Sequence, residues 1–248
     1  MEVSLYQAAA AMNATERWQE LVSDNLAAAS VPGARKREIS FSAVQAGLAP
    51  QAASMGGPNY VIPAAATVTN FQQGELRPSG NPMDFALEGP GWFTVQMPNG
   101  QPAYTRDGQF QLNAQGQLVT KQGYLVLGAG GPIQFDPNNA AAVTISATGA
   151  VSQGADQKGS LQIADFNNPG LLTALGGDLF AANNSALQKT NAVDTHVRQG
   201  FLEGANTSPT SEMATLVTAM RMFEANQKVL QMQSDRMSRE ITDLGNPS

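Results

Sequence analysis

The sequence predicts an α+β chain in which long N- and C-terminal helices form a coiled-coil domain, with an antiparallel all-β domain inserted between them. Apolar residues recur every three or four positions at both ends of the chain, and from about residue 83 they recur every second position. Turn-forming residues then interrupt the chain about every eight to ten residues. A helical domain is therefore expected at 1–33 and 208–248, an extended connector at 34–82 and the β domain at 83–207.

The first helix is predicted to end just before Pro32. An apolar stripe with three-four spacing runs through it: Leu5, Ala8, Met12, Thr15, Gln19, Val22 and Leu26. Val31 precedes Pro32, which disfavours helical geometry at that residue, and Gly33 follows. Charged residues interrupt the segment, so it is predicted neither as a cleaved secretory signal nor as a membrane span.

The second helix is predicted from Ser208 to Leu244. Its stripe keeps a heptad spacing with two polar members: Met213, Leu216, Met220, Phe223, Gln227, Leu230, Ser234, Met237, Ile241 and Leu244. Ser208 can cap this helix, Pro209 suits its first position and Gly245 ends it. A stripe about 50 Å long needs a partner along its length. The helix could lie on its own domain or bundle with others, and the matching N-terminal stripe favours bundling.

The middle of the chain has the alternation of short antiparallel strands. Phe93, Val95 and Met97 alternate with polar residues, and the hairpin signal Asn99-Gly100 follows. Further strands are predicted around 85–87, 103–105, 110–112, 118–120, 124–127, 133–135, 143–145 and 161–164. Residues 34–70 are predicted to be extended with strand-like pieces and a break at Gly56-Gly57-Pro58. Residues 181–198 are predicted to be polar and rich in turns.

Composition narrows the function classes. Charged residues make up 14% of the chain and the net charge is −6. No nucleic-acid partner is expected, because little is available to neutralise phosphates, and the one basic run, Arg35-Lys36-Arg37, is interpreted as a solvated loop. A polar but sparsely charged surface suits dense packing among copies, where each buried charge needs a partner. Cysteine is absent, which excludes disulfides and thiolate-bound metals, and no cofactor is expected.

Candidates for catalysis are few, and no enzyme is predicted. Asp84 and Glu88 could be the carboxylate pair of a wall-cleaving glycosidase, but four residues along a strand span about 13 Å, wider than the roughly 5–9.5 Å that such pairs need. His196 is the single histidine. Arg106-Asp107 is interpreted as a turn ion pair or Asx-turn and Trp92 as a core residue. A secreted β-rich adhesin is a third class, but it does not account for the two terminal stripes.

Segments along nearly the whole chain resemble the flagellar rod and hook family, in that family's order. The first helix ends in Asn25-Leu26-Ala27-Ala28 and then Pro32-Gly33, similar to the family's Asn-Leu-Ala-Asn signature, with Ala28 and Ala34 replacing the usual Asn and aromatic residue. The other similar segments are 82–93, 104–110, 116–120, 200–206, 212–213 and 221–229. Ala205 and Thr207 replace the more usual Ser and Val.

The resemblance implies a structural, non-enzymatic subunit of the flagellar basal-body rod in the periplasm, exported without a cleaved signal peptide. Its terminal helices would pack into a tube that transmits torque, with the β domain outside. The lack of a Leu-Pro-Ser-Gly-like run after the first helix favours the proximal over the distal rod type. A glycosidase or an adhesin is a weaker alternative.

The resemblance also implies the partners and the site. Expected partners are copies of itself, other rod proteins, hook–basal-body components and the flagellar export apparatus, with no small-molecule substrate. The assembly interface is expected on the two helices, at Leu5, Met12, Val22, Asn25, Leu26, Met213, Leu216, Met220, Phe223, Leu230, Met237 and Ile241.

Overall fold

The computed structural model describes residues 2–46, 60–176, 178–192 and 194–245. They form mostly β structure with one helix near each end of the chain. The break predicted at Gly56-Gly57-Pro58 lies outside these residues. The helices are α1 (Glu2–Ala28) and α2 (Pro209–Gly245), so α1 ends before Pro32 and α2 begins at the predicted proline.

Nineteen strands lie within the described residues. They are β1 (Arg37–Ala46), β2 (Tyr60–Thr69), β3 (Leu76–Pro78), β4 (Phe85–Glu88), β5 (Trp92–Gln96), β6 (Pro102–Thr105), β7 (Phe110–Leu112), β8 (Leu118–Thr120), β9 (Leu125–Gly128), β10 (Gly131–Pro132), β11 (Val143–Ile145), β12 (Ala150–Gln153), β13 (Asp156–Ser160), β14 (Ile163–Phe166), β15 (Thr173–Gly176), β16 (Leu179–Ala181), β17 (Lys189–Asn191), β18 (His196–Gln199) and β19 (Phe201–Glu203). A 3-10 turn spans Pro169–Leu171.

The chain forms two compact units. The first contains Met1–Leu26, Arg37–Val68 and Pro209–Ser248, and the second contains Ala27–Lys36 and Thr69–Ser208. The first unit holds both helices and the two-stranded sheet β1–β2. The most buried face of α1 in this unit carries Ala14, Thr15, Leu21, Val22 and Asn25, which follow one another at helical spacing.

The predicted coiled-coil domain is wrong, because the two helices do not pair along their lengths. Hydrogen bonds join them near the start of α2, among them those from Gln19 Nε2 to the Ala219 carbonyl at 3.3 Å and from Asn25 Nδ2 to Glu212 Oε2 at 3.4 Å. Met213 and Met220, which the predicted seam would bury, are 55% and 51% exposed. Glu212 and Ala219, one residue earlier, are buried instead. The side of α2 that meets α1 is therefore polar or small at these positions, which cannot supply knobs for a long apolar seam.

The second unit contains the β domain, and the strand pairings in it are antiparallel. Its largest sheet runs in the order β15-β16-β6-β5-β9-β8-β7, with β10 on β9, β14 on β5 and β17 on β14. Smaller sheets are β11-β12-β13, β18-β4 and β19-β3. The hairpin β5–β6 turns at Asn99-Gly100 as the sequence predicts, with Gly100 at φ +80°. Strands β3, β12, β13, β17, β18 and β19 lie where no strand was predicted.

Two clusters of buried side chains fill the second unit. The larger lies between the sheets and includes Phe85, Leu87, Phe93, Val95, Phe110, Leu118, Val126 and Phe135. The smaller is aromatic and groups Tyr104, Phe166 and Phe180 around Trp92. Trp92 and Phe180 meet edge to face, with ring centroids 5.0 Å apart. Trp92 is therefore a core residue, as the sequence predicts, and it lies beside the cluster of charges described below.

No helix in the described part of the chain is long and apolar enough to cross a membrane. Among the same residues, no group of three or more His, Cys, Asp or Glu side chains could hold a metal ion.

Candidate functional site

Helix α2 carries most of the exposed apolar side chains. Ten large hydrophobic side chains are exposed among the described residues, and seven of them lie on this helix: Met213, Val217, Met220, Met222, Val229, Met232 and Met237. Of the other residues predicted at the interface, Met12, Leu26, Leu216, Phe223 and Leu230 are half-buried, Val22 and Asn25 are buried, and Leu5 and Ile241 lie within the helices. Exposed apolar side chains grouped on one element are typical of surfaces that contact other molecules.

The predicted interface residue Asn25 fixes the end of α1 to β1 inside the first unit. Its side chain donates from Nδ2 to the Arg37 carbonyl at 2.7 Å, and its Oδ1 accepts from the Arg37 amide at 2.9 Å. The same Nδ2 reaches the carboxylate of Glu212, which is 1% exposed. Asn25 thus pairs with a strand residue much as a neighbouring strand would. An asparagine supplies both the donor and the acceptor that this requires.

In the second unit, a buried carboxylate joins two arginines. Glu203 on β19 accepts from Arg35 Nη1 at 2.5 Å and from Arg106 Nη1 at 3.0 Å. The side chain of Glu203 is 0% exposed, and those of Arg35 and Arg106 are 1% and 5% exposed. Arg35 is therefore not part of a solvated loop, and Arg106 pairs with Glu203 and not with its neighbour Asp107. Removing one partner of such a group leaves an uncompensated buried charge.

Both guanidinium groups also lie against Trp92. Their carbon atoms are 5.6 Å (Arg35) and 5.4 Å (Arg106) from the ring centroid, within cation–π range. Arg35 donates to the Gln72 carbonyl at 2.8 Å, and Arg106 donates to the Gly89 carbonyl at 2.8 Å. The Trp92 ring thus covers one side of both guanidinium groups.

Burial controls the ionisation of Arg106. Loss of water lowers its pKa to about 10, which the negative charge of Glu203 opposes and the positive charge of Arg35 reinforces. Arg106 remains protonated at neutral pH, so the cluster combines two cations with one carboxylate. The second positive charge is partly balanced by Asp165, whose charge raises the pKa of Arg106.

The neighbouring Asp107 forms the predicted Asx-turn, and its burial disfavours the charged form of its carboxyl group. Its Oδ1 accepts from the Gln109 amide at 2.9 Å. Burial raises its pKa to about 6, the Gln109 hydrogen bond and the charge of Lys121 oppose this, and the charges of Asp178 and Asp84 add to it. The carboxyl is therefore more easily protonated in the folded chain than in the unfolded chain, where its ordinary pKa is 3.8.

We expect Asp107→Asn to raise the free energy of unfolding at pH 7.5 by about 1–3 kcal/mol. Because the folded pKa lies above the unfolded one, the wild-type chain loses stability as pH rises from about 4 to above 6, and an amide does not ionise. The amide oxygen can still accept from Gln109. Urea unfolding at pH 4 and pH 7.5 measures this, and the two proteins should differ little at pH 4. A gain of equal size at both pH values would show that ionisation of the buried carboxyl is not the cause.

The side chains weighed for catalysis have structural partners. Asp84 accepts from Asn81 Nδ2 at 3.0 Å, and Glu88 accepts from Arg198 Nε at 2.6 Å. His196 is exposed on β18 and faces Glu88 across the strand pair β18–β4. Asp84 is buried whereas Glu88 is about half-exposed, so the two carboxylates do not share one solvent-filled cleft.

The fold and its exposed helix define a class of structural subunit that associates with other chains. Two family models match: "Flagellar hook protein FlgE/F/G D1 domain" at residues 86–153 and "Flagellar basal body rod FlgEFG protein C-terminal" at residues 198–244. The flagellar basal-body rod protein FlgF of Mesorhizobium japonicum is 31% identical, covering 100% of both chains. FlgF of Rhizobium meliloti is 32% identical over 99% of each chain, and FlgG of Caulobacter vibrioides is 30% identical over 97% of this chain and 98% of its own.

The chain belongs to the FlgF/FlgG family of flagellar basal-body rod proteins. It is a structural component of the rod, located in the flagellar basal body, where it assembles with other flagellar components. The two matched segments lie in the β domain and in β18, β19 and α2. The second segment includes Glu203 and all seven exposed apolar residues of α2.

Proposed function

We propose that this chain is the proximal, FlgF-type subunit of the rod and that it assembles through apolar residues of its two helices. Assembly through the helices is supported by the exposed apolar side chains on α2. This helix carries seven of the ten large apolar side chains that the described residues expose. These residues lose their contact with water only if neighbouring chains cover them. The proposed interface comprises the helix residues predicted from the sequence. For Val22 and Asn25, which are buried within the first unit, the proposed part is indirect: they hold α1 in place.

The exposed residues of α2 form two lines, which supports a neighbour on each side of the helix. Met213, Val217 and Met220 follow at spacings of four and three, so they share one side. Met222, Val229 and Met232 follow at seven and three and share another, turned by roughly 140° from the first at 3.6 residues per turn. Two unlike surfaces on one helix allow head-to-tail contacts between copies, and such contacts build a helical filament wherever the rotation between neighbours does not close a ring.

We propose that the subunit has no catalytic activity and that its partners are proteins. They would be copies of itself, other rod proteins, the remaining hook–basal-body components and the export apparatus, which would pass it without a cleaved signal into the periplasmic rod. The ion pair of Glu88 and the hydrogen bond of Asp84 support a structural use of these carboxylates. A chain without cysteine also carries no disulfide that would resist unfolding during export.

Genetic complementation tests the proposed subtype. We expect the gene to restore swimming to a strain that lacks its FlgF-type rod protein and to leave a strain that lacks FlgG non-motile. The distal type is the second candidate, because the FlgG relative from Caulobacter vibrioides also matches nearly the whole chain. Rescue of the FlgG-deficient strain alone would assign the distal type. Failure to rescue either strain, with the protein expressed and exported, would contradict a role in that rod.

A further inference from the structure

The chain passes between the two compact units four times, after Leu26, Lys36, Val68 and Ser208. In the second unit these crossings belong to three segments, residues 27–36, 69–75 and 203–208. Any force passed along the backbone from one unit to the other must therefore enter the second unit through these three segments. How they are held to one another decides whether such a force is shared among them.

Glu203 holds all three segments together. Its carboxylate binds Arg35 of the first segment, and its Oε1 also accepts from the Gly74 amide of the second at 2.9 Å. Its backbone carbonyl accepts from the Gly33 amide at 2.7 Å. Arg106 then connects the same carboxylate to the end of β6, in the body of the largest sheet.

Asn206 makes a second set of connections among the same segments. Its Oδ1 accepts from the Lys36 amide at 2.6 Å, and its Nδ2 donates to the carbonyls of Asn70 and Gln72 at 2.8 and 3.0 Å. The Asn206 amide donates to the Ala34 carbonyl, and the Gly204 amide donates to the Glu75 carbonyl. One asparagine side chain thus bonds the backbones of both other segments.

We propose that Arg35, Arg106, Glu203 and Asn206 form a mechanical joint that makes the three segments bear load as one. This inference rests on the proposed function, in which the subunit carries torque. The bonds of Glu203 to the two arginines are buried, and those of Asn206 are partly exposed. The two sets meet at the Gln72 carbonyl, which accepts from both Arg35 and Asn206, so separating any segment requires several charge-assisted and backbone bonds to break together. Packing against the Trp92 ring restricts the motion of both arginine side chains. These four are positioning residues, since they act on the segments that lead to the first unit and not on a partner.

Amide hydrogen exchange of the full-length monomer tests whether the bonds that hold the three segments break together. In Asn206→Ala, we expect exchange to rise about tenfold or more at Lys36, which loses its acceptor, and also at Gly74 and Gly204, whose acceptors are untouched. The matched control is Asn113→Ala. Asn113 also makes three side-chain hydrogen bonds in the second unit, to Gln115 and Gln117. Asn113→Ala should leave hydrogen exchange at Lys36, Gly74 and Gly204 unchanged. A rise at Lys36 alone would overturn the proposal, because the bonds would then be independent.

A second variant keeps the test informative if Asn206→Ala does not fold. Arg35→Lys keeps the charge but loses the planar group that reaches both Glu203 and Gln72. Exchange should then rise at Gly74 and at the Asn206 amide by a similar factor. No change at either amide in a folded Arg35→Lys chain would also overturn the proposal.

The dependence of swimming speed on viscosity tests whether the joint carries torque. Cells carrying Asn206→Ala should build basal bodies in wild-type numbers, swim in dilute buffer and lose speed several-fold more than wild type as viscosity is raised. Speeds that fall in parallel with wild type would refute a mechanical role. Failure of the wild-type gene to complement would instead count against the proposed function, whereas the exchange measurement would still report on the joint.

Discussion

Gly33→Ala is expected to lower the free energy of unfolding by about 2–5 kcal/mol. Two costs combine. Gly33 has φ +71°, where a residue with a side chain is strained by about 1–2 kcal/mol. A Cβ there would lie 2.4 Å from the Arg106 carbonyl carbon and 2.5 Å from the Asp107 amide nitrogen, and neither backbone can move aside without disturbing β6, which costs about 1–3 kcal/mol more.

The matched control for this variant is Gly80→Ala. Gly80 has nearly the same backbone conformation, φ +74°, but nothing lies within 4 Å of the position of its Cβ. It should therefore show the backbone strain alone, about 1–2 kcal/mol. Urea unfolding of both variants separates the two costs. Equal losses in the two variants would mean that the close approach of Gly33 to Arg106 contributes nothing.

Local signals predicted much of the β domain. The Asn99-Gly100 turn and the alternation through Phe93 and Val95 place β5 and β6 within a residue or two of their observed bounds. Strands β12 and β13 were missed because they contain mostly small and polar residues around Gly154. Such strands form because neighbouring strands pair with them, which their own sequence does not record.

The predicted coiled coil failed for a different reason. The periodicity of α2 located the helix, with Pro209 and Gly245 as its ends. It could not tell which apolar side is buried within its own chain. Glu212 and Ala219 take the buried side, whereas Met213 and Met220, one residue later, stay exposed. A helix with apolar residues on several sides allows more than one seam, and tertiary packing selects among them.

The buried cluster around Glu203 was not predicted at all. Arg35 stands in a basic run, where three successive cations suggest solvent, and its partner lies 168 residues further along the chain. No local pattern connects two such positions. A weak signal was present in Glu203 itself, a single carboxylate directly after the apolar pair Phe201-Leu202 in a short strand. A charge in that setting needs a buried partner.

Met220→Asp is expected to abolish assembly while leaving the monomer folded. Met220 is 51% exposed in the single chain, so an aspartate there can remain hydrated, and the free energy of unfolding should change by less than about 1 kcal/mol. In the filament the same position would be covered by a neighbour, and an unpaired carboxylate would lose its water at a cost of several kcal/mol. Cells should make and export the variant but form no complete basal bodies and no swimming halo.

Ser234→Asp is the matched control, because it adds the same charge to the same helix at an exposed polar position, turned by roughly 65° from the line through Met213, Val217 and Met220 at 3.6 residues per turn. It should assemble and support swimming at close to the wild-type level. Circular dichroism and urea unfolding of the purified monomers establish that both variants are folded. Normal swimming with Met220→Asp would show that this side of α2 faces solvent in the rod. A loss of motility with both variants would show that α2 tolerates no added charge anywhere, and the line through Met213, Val217 and Met220 would then have no special place in assembly.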